Sequence, residues 1–255
     1  MTLSPLQVLL YKYIMSTFLS NLFTRKKLLW PGMTDVHTHL LPGVDDGFSS
    51  EKDSLAMLAF LEGQGVERIF LTPHIMADLA KNRKDYLRDR FETFREDCAH
   101  IHIDLHLAAE YMLDECFYER MEEGLLSYDG KHVLVEVSCL QAPGDLFEKL
   151  YDIQLNGFVP VFAHPERYGF WKMEDLIKLK EHGCKFQLNL FSLAGFYGTL
   201  PRKTAGSLLK NGCYDYTGTD IHSLNYCRAY ESFSLKKDQF EAVKLLIRAN
   251  GELWG

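Results

Sequence analysis

The 255-residue chain predicts an α/β fold in which parallel strands alternate with crossover helices and close into one barrel. Three features lead there. Short apolar runs alternate with helix-period segments along most of the chain, several runs end in His, Glu or Asp, and the length suits a single domain with a substantial core. Ligand-type residues at the C-terminal ends of about seven parallel strands converge at one mouth of such a barrel.

Residues 1–32 read as an N-terminal extension, helical or disordered, ahead of one domain at 33–255. Within it the apolar stretch 6–23 is interrupted by Lys12, Ser16, Thr17, Ser20 and Asn21 and followed by Arg25, Lys26 and Lys27. That pattern argues against both a spanning helix and a secretory signal. It reads as a helix packed on the barrel or a disordered leader, with an interfacial helix in weak contact with a membrane surface as the alternative.

The first strand, 34–39, places His37 and His39 on one side by alternation. A bend at Pro42 and Gly43 then lets Asp45 or Asp46 return toward the pair. A helix starts at Ser50, where Ser50-Glu51-Lys52-Asp53 has the form of a capping box, with Leu55, Leu58, Ala59 and Glu62 at helical spacing and Gly63 and Gly65 as its stop. The second strand, 69–72, runs into Pro73-His74. Leu87, Phe91, Phe94 and Cys98 mark the apolar face of a second helix. Strand and helix segments then follow at 101–110, 133–137, 144–155, 158–163, 174–181, 184–190, 201–210, 213–218 and 239–249.

Composition excludes several functions. With a net charge of −7 and no extended basic stripe, the chain has nothing to track a nucleic-acid backbone. Its six cysteines lack any Cys-x-x-Cys pair, which suits reduced thiols and a cytoplasmic location. None has Arg at the offset that a cysteine-dependent phosphatase loop requires. No phosphate-binding Gly-Lys-Ser/Thr loop or dinucleotide glycine fingerprint is present.

The chemistry lies in the strand ends. His37, His39, Asp45 or Asp46, His74, Glu110, Glu136, His164, Asp220 and His222 each stand at or just past such an end. One His-x-His pair fits satisfied core histidines, but a series on consecutive strands does not. Glu136 follows Leu134-Val135, a run in which an unpaired carboxylate is costly to bury. Imidazole nitrogens mixed with carboxylate oxygens suit manganese, iron or zinc, and the donors are too many for one tetrahedral ion. His100, His102, His106, His132 and His182 lack this context and read as structural or solvated.

Asp35-Val-His-Thr-His39, Val44-Asp-Asp-Gly47, Thr72-Pro-His74, Ala163-His-Pro-Glu-Arg-Tyr168 and Thr219-Asp-Ile-His222, in this order, resemble the PHP (polymerase and histidinol phosphatase) family. Within it the chain looks most like the capsule-type bacterial metal-dependent protein-tyrosine phosphatases. The resemblance covers most of the chain from Asp35 to about Asn250. It implies a distorted (β/α)7 barrel and a three-ion site for Mn2+, with Fe or Zn as alternatives. It favours Asp46 over Asp45 and lets Asp35 orient His37 from behind the ligands. It also implies that Arg167 binds phosphate, the other reading of Arg167 being a surface pair with Glu166. Arg228 stands one residue out of register with the family's second phosphate-binding arginine, and His222 or Asp220 is the candidate proton donor. The implied reaction is hydrolysis of phosphotyrosine in protein by a metal-activated water, on the tyrosine-rich tail of a kinase of capsular or exopolysaccharide synthesis and export. Phe191, Phe196, Tyr197, Arg202 and Lys203 are loose candidates for holding that tail, with core packing as the aromatics' alternative role. Histidinol phosphatase is the alternative enzyme; a non-catalytic scaffold would require lost ligands, and none is lost.

Overall fold

Strands form where the apolar runs lie, and each principal strand is parallel to its neighbours. The computed structural model describes residues 26–27 and 30–254. In chain order these hold β1 Lys26–Lys27, β2 Met33–Asp35, α1 Glu51–Gln64, β3 Val66–Leu71, β4 His74–Ile75, α2 Lys84–Asp97, β5 Asp104–Leu107, β6 Glu110–Met112 and α3 Phe117–Glu122. Next come β7 His132–Glu136, α4 Leu146–Leu155, β8 Val159–Ala163, a 3-10 turn Pro165–Arg167, α5 Met173–Glu181, β9 Lys185–Asn189 and α6 Leu190–Ala194. The chain finishes with α7 Thr199–Lys210, β10 Tyr216–Gly218, α8 Tyr226–Ser232, β11 Ser234–Leu235 and α9 Lys237–Asn250, followed by a last 3-10 turn.

One parallel sheet runs β10–β9–β8–β7–β6–β4 and another runs β2–β3–β5, with β1 and β11 as a separate antiparallel pair. Pro73 has no N–H to give a ladder, and the break between β3 and β4 falls there. Across the break, Ala108 N donates to Leu71 O at 2.9 Å and Glu110 N to Pro73 O at 3.1 Å, linking the two sheets. At the other edge Thr38 bridges Ile221 in parallel, His39 N donates to Ile221 O at 3.0 Å and Asp220 N to His37 O at 2.8 Å. The residues carrying the candidate ligands are thus themselves part of the hydrogen-bonded framework.

Both faces of the central strands are buried, as parallel sheets require, whereas β5 at a sheet edge exposes Asp104 and His106. Ile69, Leu71, Val133, Val135 and Phe162 face helices, while the alternate residues Phe70, Leu134, Val161 and Ala163 share a smaller core with Val36, Tyr128 and Tyr216. The α2 stripe of Leu87, Phe91, Phe94 and Cys98 is buried as its spacing predicts. Burying each of its larger side chains contributes roughly 1.5–3 kcal/mol.

Several local expectations change. Ser50 caps α1 by accepting from Asp53 N, but Gly63 lies inside the helix and only Gly65 ends it. Its buried stripe is Ser54, Met57, Leu58 and Leu61, and Ala59 is exposed, because Met57 and Leu61 offer more apolar surface than Ala59 and Glu62. Helices α3, α6 and α8 were not legible, being too short for a helical period to show. The expected extension, including the apolar stretch 6–23, lies outside the described residues up to residue 25. Trp30, by contrast, is buried against Tyr230 and Phe233 at ring-centroid distances of 4.7 and 5.5 Å. Among the described residues no helix is long and apolar enough to cross a membrane.

Candidate metal centre

Alternation after β2 puts His37 and His39 on the same side, both fully buried. The Nδ1 of His37 donates to Gln187 Oε1 at 3.1 Å, and that of His39 to Asp45 Oδ2 at 2.8 Å. Each partner is an acceptor, so each imidazole turns an Nε2 lone pair inward. These two Nε2 atoms are only 3.1 Å apart, and both lie 3.1–3.3 Å from Glu110 Oε2. Lone pairs aimed at one another and at a carboxylate repel unless a cation stands between them.

A second such meeting occurs beside it. The β4–β6–β7 ladder pairs His74 with Glu110 and Met112 with Glu136, which brings His74 Nδ1 to 3.1 Å from Glu110 Oε2 and 2.9 Å from Glu136 Oε1. Despite that proximity, His74 Nδ1 and Glu136 Oε1 are buried atoms without hydrogen-bond geometry, as is His164 Nδ1. Orphaned buried polar atoms are costly, and metal ligation satisfies them. Donor atoms fall within 4.8 Å of one another in three groups: His37, His39, Glu110 and Asp220; His74, Glu110 and Glu136; His39, Asp46, His74 and His222. His164 joins through Nε2, 3.0 Å from Glu110 Oε1. All nine sequence candidates therefore come together, and this donor set fits divalent cations.

The electrostatics agree. Burial alone pushes His37, His39 and His74 down, yet nearby carboxylates, above all Glu110 and Asp45, outweigh it and raise all three, His39 and His74 well above the ordinary histidine range. Burial likewise pushes Glu110 and Asp220 up, but the surrounding histidines, joined at Asp220 by Arg167, hold both carboxyls well below the usual range. Asp46, on the exposed rim, is held down by the nearby rings of His222 and His74, whose Nε2 atoms lie 3.5 and 3.4 Å from its Oδ1.

The backbone is bent to make this meeting. Among the described residues the non-glycine positions with positive φ are His164 at 34° and Asp220 at 54°, both candidate ligands. Such conformations cost of order 1–3 kcal/mol each and persist where the surroundings enforce them. A Cβ on Gly47 would lie 2.3 Å from His39 O, and one on Gly218 would lie 2.6 Å from His37 Cβ, so both sites exclude larger residues.

Arg167 is not the surface partner of Glu166. Its Nη1 donates to Asp220 Oδ2 at 2.7 Å, and its guanidinium lies 4.6 Å from the Tyr197 ring centroid. Glu166 is buried beneath, accepting from Asn189 N and the Tyr214 hydroxyl. Arg167 lines a cavity of about 310 Å³ with Asp46, His74, Glu136, His164, Asp220 and His222. Met76, Leu79 and Met112 supply its apolar wall. None of the cysteines lines it. His222 donates Nδ1–H to Asp220 O at 2.9 Å, leaving Nε2 as a lone pair toward Asp46.

Arg228 is not brought to this cavity. Its neighbour Cys227 faces inward, Sγ 3.9 Å from Met57 Sδ, so the next residue on α8, about 100° around the helix, is turned out to solvent. Asp35 does not orient the His37 ring either: it accepts from His37 N, from Thr219 N and, at 2.5 Å, from the Thr219 hydroxyl, tying β2 to β10. Gln187 takes the orienting role, and Asn189 Nδ2 holds Asp220 Oδ2 at 2.9 Å. Both were missed, although they alternate with Phe186 and Leu188 and so share one face of β9. Of the loose candidates, Phe191 is packed in the core, Tyr197 lies under Arg167, and Phe196, Arg202 and Lys203 are exposed. His100, His102, His106, His132 and His182 fall in none of the donor groups.

Fold and site together define an α/β protein that gathers imidazole and carboxylate donors at the ends of its parallel strands. The chain belongs to the capsular polysaccharide synthesis CpsB/CapC family, whose model matches residues 33–231. It is 28% identical over 230 residues to the tyrosine-protein phosphatase YwqE of Bacillus subtilis, covering 87% of this chain and 91% of YwqE. It is also 28% identical over 231 residues to the tyrosine-protein phosphatase CpsB of Streptococcus pneumoniae, covering 84% and 95% respectively. Among solved structures, one from the pair of YwqE and CpsB described as unique metal-dependent tyrosine phosphatases superposes with a TM-score of 0.76 at 24% identity, covering 87% of this chain and 94% of that one. The family read from the motifs is the family these comparisons return.

Proposed function

We propose that this chain is a metal-dependent protein-tyrosine phosphatase that acts in the cytoplasm on a tyrosine-phosphorylated kinase of capsular or exopolysaccharide synthesis. Residues 33–255 form its domain, to which β1 and Trp30 are attached, and the rest of 1–32 is an extension able to touch a membrane surface. Its strands close as a distorted (β/α)7 barrel, a reading supported by the Thr38–Ile221 bridge, the Ala108–Leu71 link and the core enclosed around Phe70 and Leu134. The observation that carries the function is the convergence of three donor groups and Arg167 on one cavity. Nine donors suffice for three ions when a carboxylate bridges, and Glu110 is placed to do so, with Oε1 facing His164 and Oε2 facing His37, His39 and His74. We take Mn2+ as the first ion to test, with Fe and Zn next.

Divalent cations held there supply a lowered water pKa and positive charge for the phosphoryl oxygens. The chain's own residues do the rest. Arg167, fixed by Asp220 and laid on Tyr197, keeps N–H groups free to clamp two phosphoryl oxygens. Met76, Leu79 and Met112 suit a phenyl ring entering the cavity. A phenolate leaves with a pKa of about 10, so little proton donation is required, and the Nε2 lone pair of His222 serves ligation instead.

Phosphate release from a phosphotyrosyl peptide and from histidinol phosphate tests this. Wild type with Mn2+ should prefer the peptide; His37→Ala should abolish turnover with loss of metal, and Arg167→Ala should cut kcat/KM roughly 100-fold with metal retained. Preference for histidinol phosphate, or Mn2+-independent turnover, would overturn it.

A further inference from the structure

Beyond Arg167, the aromatic bridge of Tyr197 continues outward. The Tyr197 hydroxyl meets that of Tyr226 at 2.8 Å, and Phe196 packs on both rings at 5.3 and 4.8 Å between centroids. On its far side lies a groove of about 370 Å³, floored by Phe191 and Phe233 and rimmed by Phe196, Asn225, Arg202 and Arg228. That volume falls within the roughly 300–1,000 Å³ of small-ligand sites. Arg83, Arg95 and Arg167 each sit against a carboxylate, whereas among the described residues Arg202 and Arg228 have no acidic partner. Two unpaired guanidiniums over an aromatic floor, in a chain of net charge −7, form a site for an aromatic dianion.

We propose that this groove holds a second phosphotyrosine of the same substrate polypeptide while the first occupies the cavity beside Arg167. The inference rests on the tyrosine-phosphatase reading and specifies its substrate: a multiply phosphorylated tyrosine-rich segment. Phosphotyrosine supplies both halves of the match, a ring for Phe196 and a charge of about −2 for the arginines. Position fits as well. Arg167 is 4.6 Å from the Tyr197 ring and Phe196 one ring contact further, and an extended peptide advances ~3.3 Å per residue, so tyrosines about three to five residues apart reach both sites. The opposite flank of the cavity carries Asp78, Asp114 and Glu115, which repel a second phosphate and set the direction of the chain.

The test compares a peptide bearing one phosphotyrosine with the same peptide bearing two, four residues apart, on the full-length Mn2+-loaded protein. Wild type should show a KM for the doubly phosphorylated peptide about tenfold lower, the size of one or two arginine–phosphate contacts. Arg202→Ala and Arg228→Ala should each erode that preference, and together abolish it. Equal KM values in wild type, or a preference that survives in the double variant, overturn the groove. So does a drop in kcat on the singly phosphorylated peptide in Arg228→Ala, which would return Arg228 to the reacting phosphoryl group. If neither peptide is hydrolysed, the phosphatase reading fails separately. Titration calorimetry then still decides the groove: about tenfold weaker binding of the doubly phosphorylated peptide by the double variant supports it, and unchanged binding refutes it.

Discussion

Glu110 is fully buried and Glu166 is 1% exposed, yet their surroundings have opposite chemistry. Glu166 accepts from the Asn189 N–H at 3.0 Å and the Tyr214 hydroxyl at 2.8 Å, neutral donors fixed by the fold, and burial raises its pKa. Glu110 faces the imidazoles of His37, His39, His74 and His164, and they hold its carboxyl far down. Neutral donors complete a carboxylate and make it structural. The imidazoles of His37 and His39, whose Nδ1 atoms are already committed to acceptors, offer Glu110 lone pairs instead, and only added positive charge reconciles them. Equal burial therefore carries no functional information; the protonation state forced on the partners does.

The strongest way to break this contrast is Glu110→Gln. It preserves shape while removing the charge shared by two donor groups, so bound metal should fall and phosphotyrosine turnover should drop about 1,000-fold or more, by elemental analysis and phosphate release. Retained metal and activity would place Glu110 in the same class as Glu166.

A smaller effect appears in pH. In chelator-treated protein, His37, His39 and His74 have raised pKa values, so their contribution to stability is full below their ordinary value of 6.5 and is lost as pH rises through the raised values. Metal ligation needs the same rings neutral and so tightens as pH rises. The gap in Tm between Mn2+-loaded and chelated protein should widen from about pH 6 to about pH 8, as scanning calorimetry would read. A gap that narrows would mean that the histidines do not exchange protons for metal.

Smallest is Glu166→Gln. It should leave metal content and turnover within about twofold while lowering Tm by ~2–4 °C, the consequence of roughly 1 kcal/mol lost from its hydrogen bonds in a domain of this size. Loss of metal in this variant would erase the distinction.

The strand-end residues were legible because parallel strands place chemistry at their C-terminal ends, and a run such as Leu134-Val135-Glu136 is too apolar for an idle carboxylate. Asp46 was separable from Asp45 only by resemblance. In space the reason is plain: Asp45 is spent on His39 Nδ1 and on the N–H groups of Gly47 and His74. Gln187 and Asn189 escaped notice because amides carry no charge and a polar residue in a strand is ordinary, although their shared face was a usable signal. Arg228 misled because a one-residue register difference on a helix is a rotation of about 100°, enough to replace an inward position with an outward one. The roles of Glu166 and Asp35 depend on Tyr214 and Thr219, partners distant in sequence that only the fold brings near.

The most direct test is anomalous X-ray diffraction from crystals grown with Mn2+. Anomalous peaks are predicted between the His37 and His39 Nε2 atoms and Glu110, and between His74 and Glu136, with none beside Glu166. A map without peaks around Glu110, from protein that hydrolyses phosphotyrosine, would contradict the claim that this cluster is the metal centre.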